Sequence, residues 1–457
     1  MNVGLAQFGE AVRAQGAASV DVDWRIPAGG DPGLVAALTR LYGPLWERVE
    51  AANREVFRRL EEATPLLVAV SPAWAVVPGL DERTVLHCGP PLGWENFCGP
   101  LRRSVRATVV AEGWATTGDE VETLVAGGDV RLEPANDHAT VVPMAGTVGP
   151  SSPVFVVENP PGGNRSYSPI NQGPGSVPWF GVDSQEAVRH LTWLRESAGP
   201  VLNSAIRAAG AFDLFSLIGQ GLLMGDDVHM RSQASTNLLL RLLLPHLVGL
   251  QDPRAVEVAR FLSANHLFFL NVAMAAAKAA LDWASLVPQS SAVISMARNG
   301  TTFGIRIGGT GERWFIAPSP PVEDALYHPG FSPEIGSADI GDSALLELIG
   351  LGGAAAAASP AVAGFLGGRM SEAIATTEAA ESISLGRSSR LKLGFLDFRG
   401  APVGVDARLA AELEVTPAIN TGILHETEPL GQVGAGIARA PLDCFRQAVL
   451  ALDEVLG

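Results

Sequence analysis

Residues 266–309 read "HLFFLNVAMAAAKAALDWASLVPQSSAVISMARNGTTFGIRIGG", and the texture of the chain changes inside this stretch. Up to Leu286 the apolar residues keep helical spacing with almost no β-branched runs. Beyond Pro288, "SAVISMA" and "TTFGIRIGG" read as short buried strands. The apolar part is broken by Lys278 and is too short to span a bilayer, so no membrane segment is expected.

Working outward, helical periodicity begins near residue 183 and holds to about 286. Within it "TNLLLRLLLPHL" is apolar nearly all round, which predicts a helix buried inside a bundle. Before it, residues 32–63 predict two helical pieces broken at Pro44, with Leu45, Val49, Ala52, Val56 and Leu60 on one stripe. "LLVAV", "TVLHC", "VRLEP", "TVVPMAG" and "PVFVVEN" read as strands between glycine and proline turns. Helices are expected around Leu101, Val105 and Val109 and over "DEVETLVAG". After it come "RWFIAPS", "APVGVDA", "TPAINTGIL" and a last helix over "PLDCFRQAVLALDEVL". No period of 20 to 50 residues recurs. The expectation is an α/β protein of α+β-like mixed character, multidomain, with a mainly helical domain inserted in the middle: residues 1–182, 183–286 and 287–457.

Of the 457 residues, 47% are hydrophobic and 18% charged, which excludes a disordered chain. A net charge of −16 argues against nucleic acid or an anionic membrane as partner, since both demand a basic surface. Three cysteines without regular spacing, and a start that lacks a basic segment ahead of an apolar core, point to a cytoplasmic protein.

"HCGPPLGWENFCGPLRRSVRATVVAEG" (87–113) gathers a histidine, two cysteines and several arginines. Zinc needs close ligand pairs and a redox pair needs Cys-x-x-Cys; neither spacing occurs, so no metal is expected. Pro100 sits in the first turn of the expected helix, whose free N–H groups attract a negative group. Arg102 and Arg106, four apart, share a face suited to a phosphate or carboxylate. Equally open is a surface helix whose arginines pair with Glu95 or Glu112. The polar loops 135–153 and 158–175 offer Asn136, His138, Asn164, Arg165 and Asn171 as donors to an amide or carboxylate, although tight turns use the same residue types. "MGDDVHMRSQASTN" (224–237) sets Asp226, Asp227, His229 and Arg231 between core helices, where unpaired charge is costly. That pattern suits a lined cleft with His229 moving protons, or a helix start capped by Asp226 or Asp227. The glycines of "FGIRIGGTGERWF" precede a strand where a dinucleotide fingerprint demands a helix, so a hairpin is expected there. "SADIGDSALLELIG" (337–350) is a polar, glycine-containing turn leading into an apolar helix, whose start suits an anion or equally an ordinary Asp or Ser cap.

Five blocks carry a resemblance: "LHCGPPLGWENFCGPLRRSV", "NDHATVVPMAGTVGPSSPVFVVEN", "MGDDVHMRSQASTN", "RNGTTFGIRIGGTG" and "TPAINTGILHETEPLGQVGAGIARAPLDCF". In this order, from about residue 50 to the end, the chain resembles the YlbE-like family, which includes AllG-type subunits of oxamate carbamoyltransferase. The resemblance implies FdrA-like and AllH-like partner subunits, a role in allantoin breakdown, and interconversion of oxalurate plus phosphate with oxamate plus carbamoyl phosphate. It implies a small-molecule substrate and no cofactor. Carbamoyl transfer passes through an oxyanion and needs anion-binding donors and a group that handles the amide proton. For that chemistry Arg102 and Arg106 are candidates for the phosphate or carboxylate, with Asn164, Arg165 and Arg231 as further anion-binding groups. Asn136, His138 and Asn171 are candidates for the carbonyl, and His229 with Asp227 for the proton. The rival expectations are a non-catalytic scaffold subunit of the same assembly and a stand-alone small-amide hydrolase or lyase. A homo-oligomer is also open.

Overall fold

The computed structural model describes residues 2–3, 6–22, 26–365 and 367–457. Its organising element is the helix Phe268–Ser285, whose residues from Phe268 to Leu281 are all buried. Six alanines at positions 273, 275, 276, 277, 279 and 280 let neighbouring backbones come close. The strand Asn164–Pro169 lies against it and bonds to its carbonyls: Asn164 Nδ2 donates to Ala279 O at 2.9 Å, and Ser166 Oγ to Ala275 O at 2.6 Å. Lys278, the charge that interrupts the apolar run, lays its stem in the core. Its Nζ donates to Asn136 O at 3.0 Å and to Asp282 Oδ1 at 2.7 Å.

Strands flank this helix in several sheets. One, in the order Asn164–Pro169, Pro153–Asn159, Leu66–Pro72 and Phe212–Asp213, is antiparallel throughout. A six-stranded sheet runs Phe315–Pro318, Thr302–Ile307, Ala292–Asn299, Arg399–Asp406 and Ser384–Leu393, with Ile340–Gly341 paired beside Ala292–Asn299. Glu323–Tyr327, Gln432–Arg439 and Ala418–Leu424 make a third sheet. In the fourth, Thr84–His87 pairs antiparallel with Thr147–Val148 and parallel with Arg131–Pro134. The parallel pair is joined by the helices Gly99–Ala111 and Gly118–Ala126, the long crossover that parallel strands require. This is the mixed helix-and-strand architecture expected from the sequence, and buried apolar residues from Ala28 to Leu456 form one connected core.

Two local expectations fail for visible reasons. "TVVPMAG" is no strand: its backbone bonds go to separate elements, with isolated bridges from Thr140 to Tyr167 and from Pro143 to Gly341. Met144 within it has φ +50°, which breaks an extended path. The helix Gln233–Gly249 buries Leu239, Leu243 and Leu247, but leaves Leu242, Leu244 and Val248 exposed, the last by 77%. It covers the bundle from outside. Among the described residues no single helix is long and apolar enough to cross a membrane. The bent pair Ala255–Ala264 and Phe268–Ser285 meets that test in composition, and its second member is the buried core helix.

Candidate active site

The loop after the helix Leu214–Leu223 turns sharply at Gly225, φ +92°, and again at Val228, φ +62°. A β-branched residue in the left-handed region stores strain, and the surroundings must hold it there. Asp227 does much of that holding. Its carboxylate accepts the N–H of Arg231 at 2.7 Å and of Met230 at 3.2 Å, and the side-chain amide of Asn420 at 2.6 Å. Asp226 accepts from Ala234 N at 3.1 Å, Ser235 N at 2.7 Å and Arg231 Nη1 at 2.8 Å, capping the helix Gln233–Gly249 across the loop. Burial pushes the Asp226 carboxyl up, and these donors oppose that shift.

This scaffold aims His229. Its Nδ1 lies 2.7 Å from Glu347 Oε1, with both side chains buried. The same carboxylate oxygen accepts from Gly353 N and Asn420 N at 3.3 Å each. Paired in this way, Nδ1 carries the proton and Nε2 is left as the working nitrogen. His229 lines a recess. Among the described residues no protein group bonds to Nε2. Gly352 is obligatory beside the pair: its φ is +55°, and a Cβ there would collide with Glu347 Oε1.

The recess is built from segments far apart in the chain. Met144 comes from a loop, Trp179 from the single 3-10 turn Pro178–Phe180, Ser343 from the turn before the helix Leu345–Leu348, Asn420 and Thr421 from the strand Ala418–Leu424, and Gln432 from its neighbour. Beneath it Arg298 is fully buried and forks onto Asp339 with two bonds of 2.8 Å. Burial works against the arginine's charge and Asp339 outweighs it, so its pKa is raised. The guanidinium also donates to Gly341 O at 2.6 Å and to Ser343 Oγ at 3.3 Å. Because Ser343 accepts there, its own proton is free to be given into the recess.

Asp342, next in the chain, ties two walls together. It accepts Gly89 N at 2.8 Å and Val142 N at 3.0 Å. Burial pushes its carboxyl up to about 7, against those two donors and nearby Arg298. The folded chain therefore holds a proton there that the unfolded chain has released above the ordinary aspartate range. This contribution to stability is full at low pH and is lost as pH rises through about 7. Denaturant midpoints measured between pH 5 and 8 are expected to fall with rising pH, by at most about 1.4 kcal/mol per unit from this group. Asp342→Asn is expected to flatten that slope.

The remaining expected site residues lie elsewhere. Arg102 stacks on Trp94, 4.6 Å from its centroid, and donates to Trp94 O at 2.8 Å. Arg106 forks onto Glu122, so both arginines face a carboxylate of their own chain, although Glu122 is neither acid named beforehand. The helix start at Gly99 also holds an anion from within: Gly99 N donates to Glu426 Oε1 at 3.0 Å. His138 bridges Pro78 O and Glu133. Asn136 accepts from Ser295 Oγ at 3.0 Å. Asn164 serves the core helix as described, and Arg165 pairs with Glu158 on the surface. Asn171 anchors Leu267 O at 3.0 Å and Asn271, supporting the wall of the recess without lining it. Arg231 is engaged by Asp226. Of the expected set, His229 alone lines the recess, with Asp227 directly behind it. Among the described residues no three His, Cys, Asp or Glu side chains converge as metal ligands.

Sequence reasoning missed Glu347, 118 residues from its histidine, and Arg103. Arg103 lies between the two arginines that were singled out, and it is the one that turns inward. It donates to Gly181 O at 2.6 Å and to the carbonyls of His425, Glu426 and Thr427 at 2.7, 3.2 and 3.1 Å.

The chain matches the protein family described as oxamate carbamoyltransferase subunit AllG over residues 130–343. It is 40% identical over 418 residues to the oxamate carbamoyltransferase subunit AllG of Escherichia coli (strain K12), across 90% of this chain and all of that one. It is 34% identical over 460 residues to the uncharacterized protein YahG of the same organism, across 100% of this chain and 97% of that one. A crystal structure of a conserved protein of unknown function from Enterococcus faecalis V583 superposes with a TM-score of 0.88 at 34% identity, covering 90% of this chain and 99% of that chain.

Proposed function

The chain belongs to the AllG family of oxamate carbamoyltransferase subunits, and from that premise we propose that its recess is where the carbamoyl group is transferred. The substrates of the reading are oxalurate and phosphate on one side, oxamate and carbamoyl phosphate on the other. The assembly contains FdrA-like and AllH-like subunits. The observation that carries this reading is His229, held by Glu347 at Nδ1 and open to the recess at Nε2.

In the phosphorolytic direction a phosphate oxygen attacks the terminal carbamoyl carbon of oxalurate. The carbonyl oxygen becomes an oxyanion, which Ser343 Oγ–H stabilises while Arg298 keeps that hydroxyl oriented. Collapse breaks the bond from that carbon to the bridging nitrogen. His229 Nε2 takes up the proton of the attacking phosphate and gives it to this nitrogen as it leaves, so that oxamate departs as a neutral amide with its carboxylate intact. In reverse, neutral Nε2 removes the proton from the oxamate amide as its nitrogen attacks carbamoyl phosphate, and phosphate departs. Glu347 keeps the imidazole in the tautomer that each direction needs and steadies its charged form.

The test is to supply oxalurate and phosphate to the assembly co-purified with its partner subunits, and to follow carbamoyl phosphate and oxamate. Stoichiometric formation of both is the expected result. Phosphate-independent release of ammonia by the chain alone would instead mark a hydrolase. Full activity in an assembly carrying a His229 substitution would mark a scaffold.

A further inference from the structure

Every molecule in the proposed reaction is an anion: oxalurate and oxamate carry a carboxylate, and phosphate and carbamoyl phosphate carry more charge. Such groups are not held in a largely apolar recess without a counter-charge. The described lysines and arginines around it are already engaged by the protein's own oxygens, and the imidazoles that line the neighbouring space, His266 and His328, are exposed to solvent. Arg298 is forked onto Asp339 and bonded to Gly341 O. Arg103 is bound to four main-chain carbonyls, those of Gly181 and residues 425–427. Arg231 is held by Asp226, and Lys278 by Asp282 and Asn136 O.

The recess shares Phe180, Leu267 and Gln432 with a wider neighbouring space, its vestibule in this reading. Among the described residues, no lysine or arginine lines either space. One edge of the vestibule is residues 174–176, and the other is the exposed end of the turn 425–431. That turn presents Glu428 and Leu430 to solvent, Leu430 by 52%. An acidic residue beside an exposed leucine, on a chain of net charge −16, suits a basic segment with an apolar contact. A second copy of this chain would bring the same negative charge.

We propose that the site is completed in trans: a lysine or arginine side chain of a different subunit enters through the vestibule and holds the phosphate or carboxylate beside His229. The proposal rests on the carbamoyl-transfer reading above.

Calorimetry with oxamate, and with inorganic phosphate as a second probe, compares the isolated chain with the co-purified assembly at one ionic strength. The expected result is binding at least about 100-fold tighter in the assembly. Supplying a cation from within, by Gln432→Arg in the isolated chain, is expected to raise its affinity for either anion at least about tenfold. Glu428→Arg, on the exposed turn, is expected to weaken anion binding by the assembly about tenfold while the thermal midpoint of the isolated chain stays unchanged. It keeps the proposal testable should the Gln432 variant fail to fold. Equal affinity of isolated chain and assembly overturns the proposal, as does an assembly that binds neither anion. An isolated chain that reaches the assembly's affinity only on self-association also overturns it, because a second copy then supplies the charge. An assembly that binds oxamate tightly yet transfers no carbamoyl group breaks the reaction assignment and leaves the trans cation standing. An assembly that turns over, while the isolated chain binds oxamate just as tightly, does the reverse.

Discussion

His229→Ala in the assembled enzyme is expected to lower carbamoyl transfer about 10²–10⁴-fold, the range that a positioned acid–base group contributes. The loss is expected in kcat more than in KM, because Nε2 acts on a proton that moves only as the carbon–nitrogen bond forms or breaks. Stability is expected to fall as well, because Glu347 is left buried without its imidazole partner, although Asp226, Asp227 and Asn420 still hold the loop; urea unfolding measured beside the rate separates the two effects. Glu347→Gln gives the companion result. An amide still bonds Nδ1 but no longer selects the tautomer or steadies the imidazolium, and a loss on the order of 10²-fold is expected. Rates of carbamoyl phosphate formation, measured with saturating and limiting oxalurate, check both. An unaltered kcat in His229→Ala would remove the recess from the chemistry.

The largest stability effect is expected at Asp339. Its carboxylate and the Arg298 guanidinium are fully buried and bonded twice. Asp339→Ala leaves a guanidinium in the core that water cannot reach, and breaking such a pair from one side costs about 3–5 kcal/mol. That is a large share of the roughly 5–15 kcal/mol that a folded domain holds. Urea unfolding of the isolated chain measures it. Replacing both partners with apolar residues of similar volume is expected to recover much of the loss, because the penalty lies in the orphaned charge rather than in the missing bond. The double variant should stay slow all the same, since Ser343 and Thr421 lose the donor that orients them.

Local periodicity carried much of the architecture. Helices on either side of Pro44, the helix from Gly99, the strands at Leu66 and Thr84, and the change of texture at Pro288 are all written in nearest-neighbour patterns. The bundle helix from Gln233 was harder, because a leucine-rich run does not say which face another element covers. Site residues divide the same way. His229 was legible because four ionisable groups in six positions cannot sit unpaired between core helices. Its carboxylate partner was not, because a pairing across 118 residues leaves no mark in local sequence. Arg102 and Arg106 drew attention by their spacing, which describes the outer face of the helix. Arg103 shares the inward side with Ser104 and Ala107, residues that permit close packing, and that was the available sign. Asn171 and Asp226 show that buried polar residues in turns also serve the backbone, and the half-buried Asn164 does so from a strand end.

Arg103 ties Gly181 to residues 425–427, the start of one edge of the opening, and every bond it makes there ends on a main-chain carbonyl. The grip is therefore blind to side chains. Positions around the opening, Ser176, Glu428 and Leu430 among them, are free to change identity while the aperture keeps its shape. A related chain can in this way acquire a different cargo or a different neighbour by exchanging rim residues alone, with the chemistry beneath untouched. The same arrangement makes Arg103 the position where even lysine is a poor replacement: one ammonium has three donors in the wrong geometry to span two loops and four carbonyls.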